Sequence, residues 1–489
     1  MSDNSDKRGR FAPYVLGSSL LVLGATAALF ATGAAVFGEP LTGFMVCALV
    51  ALPVGFGLRF MGRAGAEPSR REAIATVLLL WSLLPIGAAI PFTVAGPLSP
   101  LNALFEAMSG FTTTGGSVIA DLSAVSNTLL LWRALSQWVG GVGILVLFVA
   151  VFPQLAIAGR QLFFAEAPGA NDDLRLLPRL QTTALAVISV YSATTLACAA
   201  AYTLFGMTPF EAVAHALSTV SAGGFSTRAE GFMAFDNAGL EWVAICFMFL
   251  AGVSFALLYR AFSGRPRSLL RDPEFRLYSV ISVSAGLVIA AVLASQSGLA
   301  PLDAVRHGLF NALSVMTSTG YATDDFGAWI PSAQSVLVML MFIGGSTGSA
   351  GGGVKVGRWL IIAKIAIREV RHALHPRAVL PITLGKRPVS DAVLRSVSGF
   401  ITLYIGLFAM LTMALVFSGH SFITSFSAAA AAIGNGGVGL DQVGPLGSFA
   451  SLEPFARGLL IFGMYAGRLE VITVFVIFVP SWWQRPRRR

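Results

Sequence analysis

The stretch Phe111-Thr112-Thr113-Thr114-Gly115-Gly116 follows a short amphiphilic segment, 102–110, and precedes a long apolar run, 128–152. The arrangement returns three times. Ser221-Ala222-Gly223-Gly224-Phe225 follows 209–220, Thr317-Ser318-Thr319-Gly320-Tyr321 follows 302–316, and Gly434-Asn435-Gly436-Gly437-Val438 follows 422–433. Aligned without gaps from Thr112, every turn has Gly in its fourth place, and six residues earlier stand Ser109, Ser218, Ser314 and Ala431. With 52 glycines in 489 residues one such match carries nothing. Four matches in one architectural slot are an internal repeat.

At about 1.5 Å per residue, each short segment is a helix half as long as a bilayer is thick, and so a candidate re-entrant helix. Their starts carry helix-entry chemistry: Ser99-Pro100, Thr208-Pro209, Pro301 with Asp303, and Ser421 as a cap. Around them the chain is 55% hydrophobic and 12% charged, with mean hydropathy +0.75, against roughly 25% charge in soluble domains. That excludes an ordinary soluble enzyme. Apolar runs at 11–37, 41–58, 73–94, 128–152, 180–205, 242–262, 277–294, 336–367, 392–417 and 455–479 read as ten spans. The expected fold is an all-α membrane protein of ten transmembrane helices and four re-entrant pore helices. Two accessory spans occupy 1–70, and pseudo-fourfold repeats occupy 71–178, 179–272, 273–388 and 389–489 around a central pore.

The run at 11–37 is too long for a signal-peptide core and is read as a retained span. Cys47, Cys198 and Cys246 fall inside apolar runs without metal-ligand spacing. The balance of 33 basic to 24 acidic residues is not a nucleic-acid footprint, because position explains it. Lys7, Arg8, Arg10, Arg59, Arg63, Arg70, Arg71, Arg160, Arg175, Arg179, the 260–276 cluster, the 364–395 segment and Arg485 to Arg489 occupy alternate loops. The positive-inside rule then puts both termini in the cytoplasm. The outer loops hold Glu39, Asp121, Glu230, Asp236, Asp324, Asp325, Asp441 and Glu453, which attract cations.

Irregular backbone at membrane depth is tolerated only where protein buries it or where it lines water, so four such turns imply a pore. A dehydrated monovalent cation needs several oxygens, and backbone carbonyls supply them without charges that would trap it. Gly115, Gly224, Gly320 and Gly437 accept left-handed angles and leave the axis open. The bland alternative, glycines for close helix packing, accounts neither for half-length helices nor for a shared register.

These turns resemble those of the Trk/Ktr/HKT superfamily of potassium transporters, and with two spans before the first repeat the likeness is to its bacterial TrkH type. It covers 73–479. The resemblance implies a K+ filter of Thr113, Thr114, Gly115, Ala222, Gly223, Gly224, Ser318, Thr319, Gly320, Asn435, Gly436 and Gly437. Gly115 occupies the place where sodium-favouring plant relatives have Ser. Gly434-Asn435 departs from the hydroxyl pattern. The resemblance further implies K+ as the transported ion, a homodimer in membrane lipid, the bacterial inner membrane, and a cytoplasmic TrkA-type nucleotide-binding ring that governs opening. No organic cofactor and no nucleic acid are expected.

The run Gly344-Gly345-Ser346-Thr347-Gly348-Ser349-Ala350-Gly351-Gly352-Gly353 cannot be a quiet helix, since each Gly costs about 1 kcal/mol of propensity. It resembles the family's gating loop. Arg468, inside the last apolar run, costs at least about 2.5–3.5 kcal/mol there and resembles the family's Arg that contacts this loop. A structural ion pair with another helix is the alternative, Glu470 being badly spaced to serve. Lys355 reaches the inner mouth or snorkels to the cytoplasm. Glu106 and Glu211 have no nucleophile, ligand set or phosphate loop beside them, so orienting the short helices or attracting ions is their expected work. His215, His307, His372, His375 and His420 read as packed or solvated rather than proton-coupling. The expectation is therefore potassium uptake through a channel-like pore and not an enzyme. The alternative is a K+/H+ or K+/Na+ symporter with alternating access.

Overall fold

The computed structural model describes residues 11–63, 68–147, 176–296, 298–385 and 387–484. Lys7, Arg8, Arg10, Arg160, Arg175 and Arg485 to Arg489 lie outside them, as does the stretch 148–152 of the fourth expected span.

Phe11–Phe37 and Thr42–Met61 form an antiparallel pair joined by a tight turn at Gly38. They cross closely because Gly17 and Gly55 face each other: a Cβ on Gly55 would sit 2.9 Å from the Gly17 carbonyl oxygen. Four units follow, each a long helix, a short helix, a turn and a second helix. The short helices are Pro100–Phe111, Pro209–Val220, Pro301–Met316 and Phe422–Ile433. Pro at the first position starts three of them, where a missing N–H costs nothing. Thr208 and Glu211 form a capping box and Ser421 caps Thr424 at 3.2 Å, whereas Ser99 makes no side-chain cap.

Two apolar cores flank the turns. One joins the N-terminal pair to the first and fourth units, and the other joins the second and third.

Two unexpected breaks and one expected interruption appear among the ten spans. Among the described residues seven helices are long and apolar enough to cross a membrane, or nine with two bent pairs. The run expected at 242–262 breaks into Ala238–Ala251 and Phe255–Phe262, bent by 103°, and that at 455–479 breaks after Arg468 by 112°. The run at 336–367 divides into Pro331–Met341 and Val356–Leu374 around the glycine-rich loop. Hydropathy averaged over a span does not register the first two bends: Gly252 lies among apolar residues, and Arg468 and Glu470 at the other break are outweighed by the apolar residues around them. Within the basic segment, Thr383–Leu384 pairs antiparallel with Arg387–Pro388, a small exception to the all-α expectation.

Candidate functional site: a ring of four turns above a glycine-rich loop

All four short helices end in the same way. The second-place residues Thr113, Ala222, Ser318 and Asn435 have φ of 51°, 54°, 63° and 53°, and the fourth-place Gly115, Gly224, Gly320 and Gly437 have φ of 89°, 78°, 79° and 63°. Each second-place N–H bonds three residues back, to Gly110, Thr219, Val315 and Ala432 at 2.9–3.2 Å. Each third-place N–H bonds five residues back, to Ser109, Ser218, Ser314 and Ala431 at 2.8 Å. This is the Schellman ending, and it explains why the register of the turns runs back to those four positions. The left-handed second place is usually glycine's. Here Thr, Ala, Ser and Asn hold it, at an order of 1–3 kcal/mol of strain for each residue that disfavours this region, least for Asn.

The turns close a ring in chain order. A Cβ on Gly115 would run into the Gly223 carbonyl, one on Gly224 into that of Thr319, and one on Gly437 into that of Thr114; on Gly320 it would lie 2.7 Å from Gly436 O. Each fourth-place glycine thus abuts the third-place carbonyl of a neighbouring unit, and no side chain fits between them. The residues of the first and second places are buried, while Gly115, Gly224, Gly320 and Gly437 are partly accessible. All twelve residues expected at the filter are therefore brought together.

Polar side chains fasten each turn's exit to its short helix. Glu106, fully buried, accepts from Ser117 Oγ (3.0 Å) and Val118 N (3.0 Å) and pairs with Arg133 at 2.7 Å. His215 Nε2 meets Ser226 Oγ at 3.0 Å, Asn311 Nδ2 donates to Thr323 at 2.9 Å, and Ser427 Oγ accepts from Leu440 N at 2.9 Å. Arg133 also donates to Ser226 O, 3.2 Å away, in the next unit. Glu211 pairs with Arg228 at 2.8 Å. Glu106, Glu211 and His215 thus orient backbone. The pairing of Arg133 with Glu106, across 27 residues, was not legible in the sequence.

The loop 344–353 packs against the third and fourth turns on the side of their helix ends. Gly352 N donates to Ser318 Oγ at 2.5 Å, and a Cβ on Gly351 would touch Thr317 O. A space of about 10 Å³ remains at this seam, lined in part by Ser318, Gly344, Gly353, Gly434 and Gly436, about enough for one water. The broken span of the second unit braces the loop: Ser346 N donates to Gly252 O (2.8 Å), Ala350 N to Ala251 O (3.2 Å), and Phe255 N to Gly348 O (3.1 Å). Glu274 accepts from Thr347 N at 2.6 Å and Gly357 N at 2.9 Å. Val356 N donates to Gly345 O, and Gly344 and Gly353 lie against each other, both with positive φ.

Two cations converge on this loop. Arg468 Nη1 donates to Ala350 O at 3.0 Å, and Lys355 Nζ to Gly351 O. Both are buried, so Lys355 does not snorkel. Among the described residues Arg468 is hydrogen-bonded to the loop rather than ion-paired, and its Nε and Nη2 have no hydrogen-bond partner. Glu470, badly spaced for Arg468, pairs instead with Arg358 at 2.5 Å, and Arg358 lies over Phe400 at 3.9 Å. That pair escaped sequence reasoning because 112 residues separate its members.

The family model described as TrkH, cation transport protein, matches residues 49–485. The chain is 36% identical over 424 residues to the Trk system potassium uptake protein TrkH of Vibrio parahaemolyticus, covering 86% of this chain and 87% of that one. It is 34% identical over 440 residues to the Escherichia coli K12 protein of that name, covering 89% and 91%. The crystal structure of the potassium transporter TrkH from Vibrio parahaemolyticus superposes with a TM-score of 0.88 at 33% identity, covering 97% of this chain and 99% of that one. The chain is thus a helical, multi-pass membrane protein and belongs to the TrkH family of cation transport proteins.

Proposed function

We propose that this chain is the membrane subunit of a bacterial potassium uptake system, and that K+ passes along the axis of the four-turn ring. The observation that carries the reading is the cyclic contact of each fourth-place glycine with a neighbouring unit's third-place carbonyl. Left-handed residues at the second and fourth places free each turn from helical geometry, so that its carbonyl oxygens are available to the axis. The second- and third-place N–H groups are occupied by the short helices, so they do not compete for the axis. Oxygens from four turns replace lost hydration without a full negative charge. In this reading the short helices are re-entrant, both termini are cytoplasmic in the inner membrane, and 344–353 with Lys355 and Arg468 is the closed gate beneath the filter. A homodimer and a TrkA-type nucleotide-binding ring complete the assembly, the basic 364–395 segment being the ring's docking side.

The test is cation flux into proteoliposomes holding the purified chain, comparing K+, Rb+, Na+ and Li+ with and without a pH gradient. A filter predicts K+ and Rb+ well above Na+ and Li+, with no dependence on the gradient beyond its electrical part. Equal flux of all four ions contradicts it, and K+ flux that requires the gradient establishes the coupled symporter instead.

A further inference from the structure

Turns one and three brace themselves. Thr112 Oγ1 and Thr114 Oγ1 lie 2.7 Å apart, and Thr317 and Thr319 repeat the contact at 2.8 Å. Turns two and four cannot, because their third places are Gly223 and Gly436. In turn four an amide substitutes: Asn435 Nδ2 donates to Thr114 Oγ1 at 3.1 Å and Met464 O at 2.9 Å. In turn two the amide comes from another unit. Gln137, fully buried in Asn127–Val146, donates from Nε2 to Gly223 O at 2.6 Å and accepts at Oε1 from Phe225 N at 3.1 Å. These contacts grip the backbone on both sides of Gly224. The fit is reciprocal: a Cβ on Gly223 would lie 2.6 Å from Gln137 Oε1 and 2.8 Å from Nε2. A side chain at 223 and the amide of Gln137 exclude each other.

We infer that Gln137 is a positioning residue for ion selection, which holds the Gly223 carbonyl at the spacing that suits K+. This rests on the filter reading above and adds a specific determinant to it. A carbonyl freed from the amide follows a smaller ion inward and so recovers the coordination of Na+ that a held ring denies. A buried polar side chain inside an apolar span is costly to insert, which fits a role that repays it locally.

The experiment measures K+ and Na+ flux in proteoliposomes for Gln137→Met, which keeps the volume and removes both hydrogen bonds, and for Gly223→Ala, which displaces the amide from the turn side. Both variants are checked for monodispersity, and Gly320→Ala serves as a control away from Gln137. The expected result is a K+/Na+ ratio lowered by about five- to tenfold in whichever of the two variants folds, the worth of about one lost hydrogen bond. An unchanged ratio in either folded variant overturns the inference. If Gly320→Ala also leaves the ratio and K+ flux unchanged, the filter reading itself fails; if that control alone responds, only the role of Gln137 falls.

Discussion

Glu470→Gln should destabilise the protein more than its single lost charge suggests, and Arg358→Met should reverse part of that loss. The two side chains meet at 2.5 Å with 7% and 6% of their surfaces exposed. Glutamine leaves Arg358 an amide oxygen but no counter-charge; among the described residues its other contacts are the Phe400 ring at 3.9 Å and Val354 O at 3.5 Å. Leaving such a guanidinium buried without its counter-charge costs about 3–5 kcal/mol, whereas removing both charges together is often close to neutral. The pair also ties Val356–Leu374 of the third unit to the 112° bend of the fourth, where Glu470 has φ of 63°. Thermal unfolding of detergent-solubilised protein, followed by loss of the monodisperse fraction, should therefore place Glu470→Gln well below the parent and the double variant between them. Additive losses in the double variant would refute the reasoning, since they would mean that the two groups do not interact energetically.

Gly320→Ala places a Cβ 2.7 Å from Gly436 O at φ of 79°. A left-handed L-residue costs about 1–2 kcal/mol before that contact is counted, so K+ flux should fall about tenfold or more in protein that remains monodisperse. Arg468→Ala removes the bond to Ala350 O and a positive charge beneath the ring, so K+ flux in proteoliposomes should rise; unchanged open probability in single-channel recordings would count against a gate there. Glu274→Ala frees the N–H groups of Thr347 and Gly357 and should raise K+ leak severalfold, with greater protease sensitivity near residue 347.

The repeat was legible because glycine at a fixed offset and half-length amphiphilic segments are properties of local sequence; short helices at 209–220 and 422–433 begin and end where expected. The left-handed second places were not legible. Thr113 is β-branched and argues against positive φ, and the bonds of its N–H to Gly110 O and of Thr114 N to Ser109 O accompany that conformation. The breaks at Gly252 and Leu469 were hidden for a related reason. Gly252 O accepts from Ser346 N and Glu470 turns to reach Arg358, so long-range partners bend segments that span-averaged hydropathy reads as continuous. Gln137 did leave a signal, a lone amide in an apolar run, but its partner is the backbone of another unit, which no spacing rule finds.

A crystal grown in Rb+ or Tl+ and measured at that ion's anomalous edge tests the ring most directly. Carbonyl coordination predicts an anomalous peak on the axis, within ligand distance of oxygens from all four turns that carry Gly115, Gly224, Gly320 and Gly437. Ions bound only outside that ring, in protein shown to transport K+ in the same preparation, would contradict it.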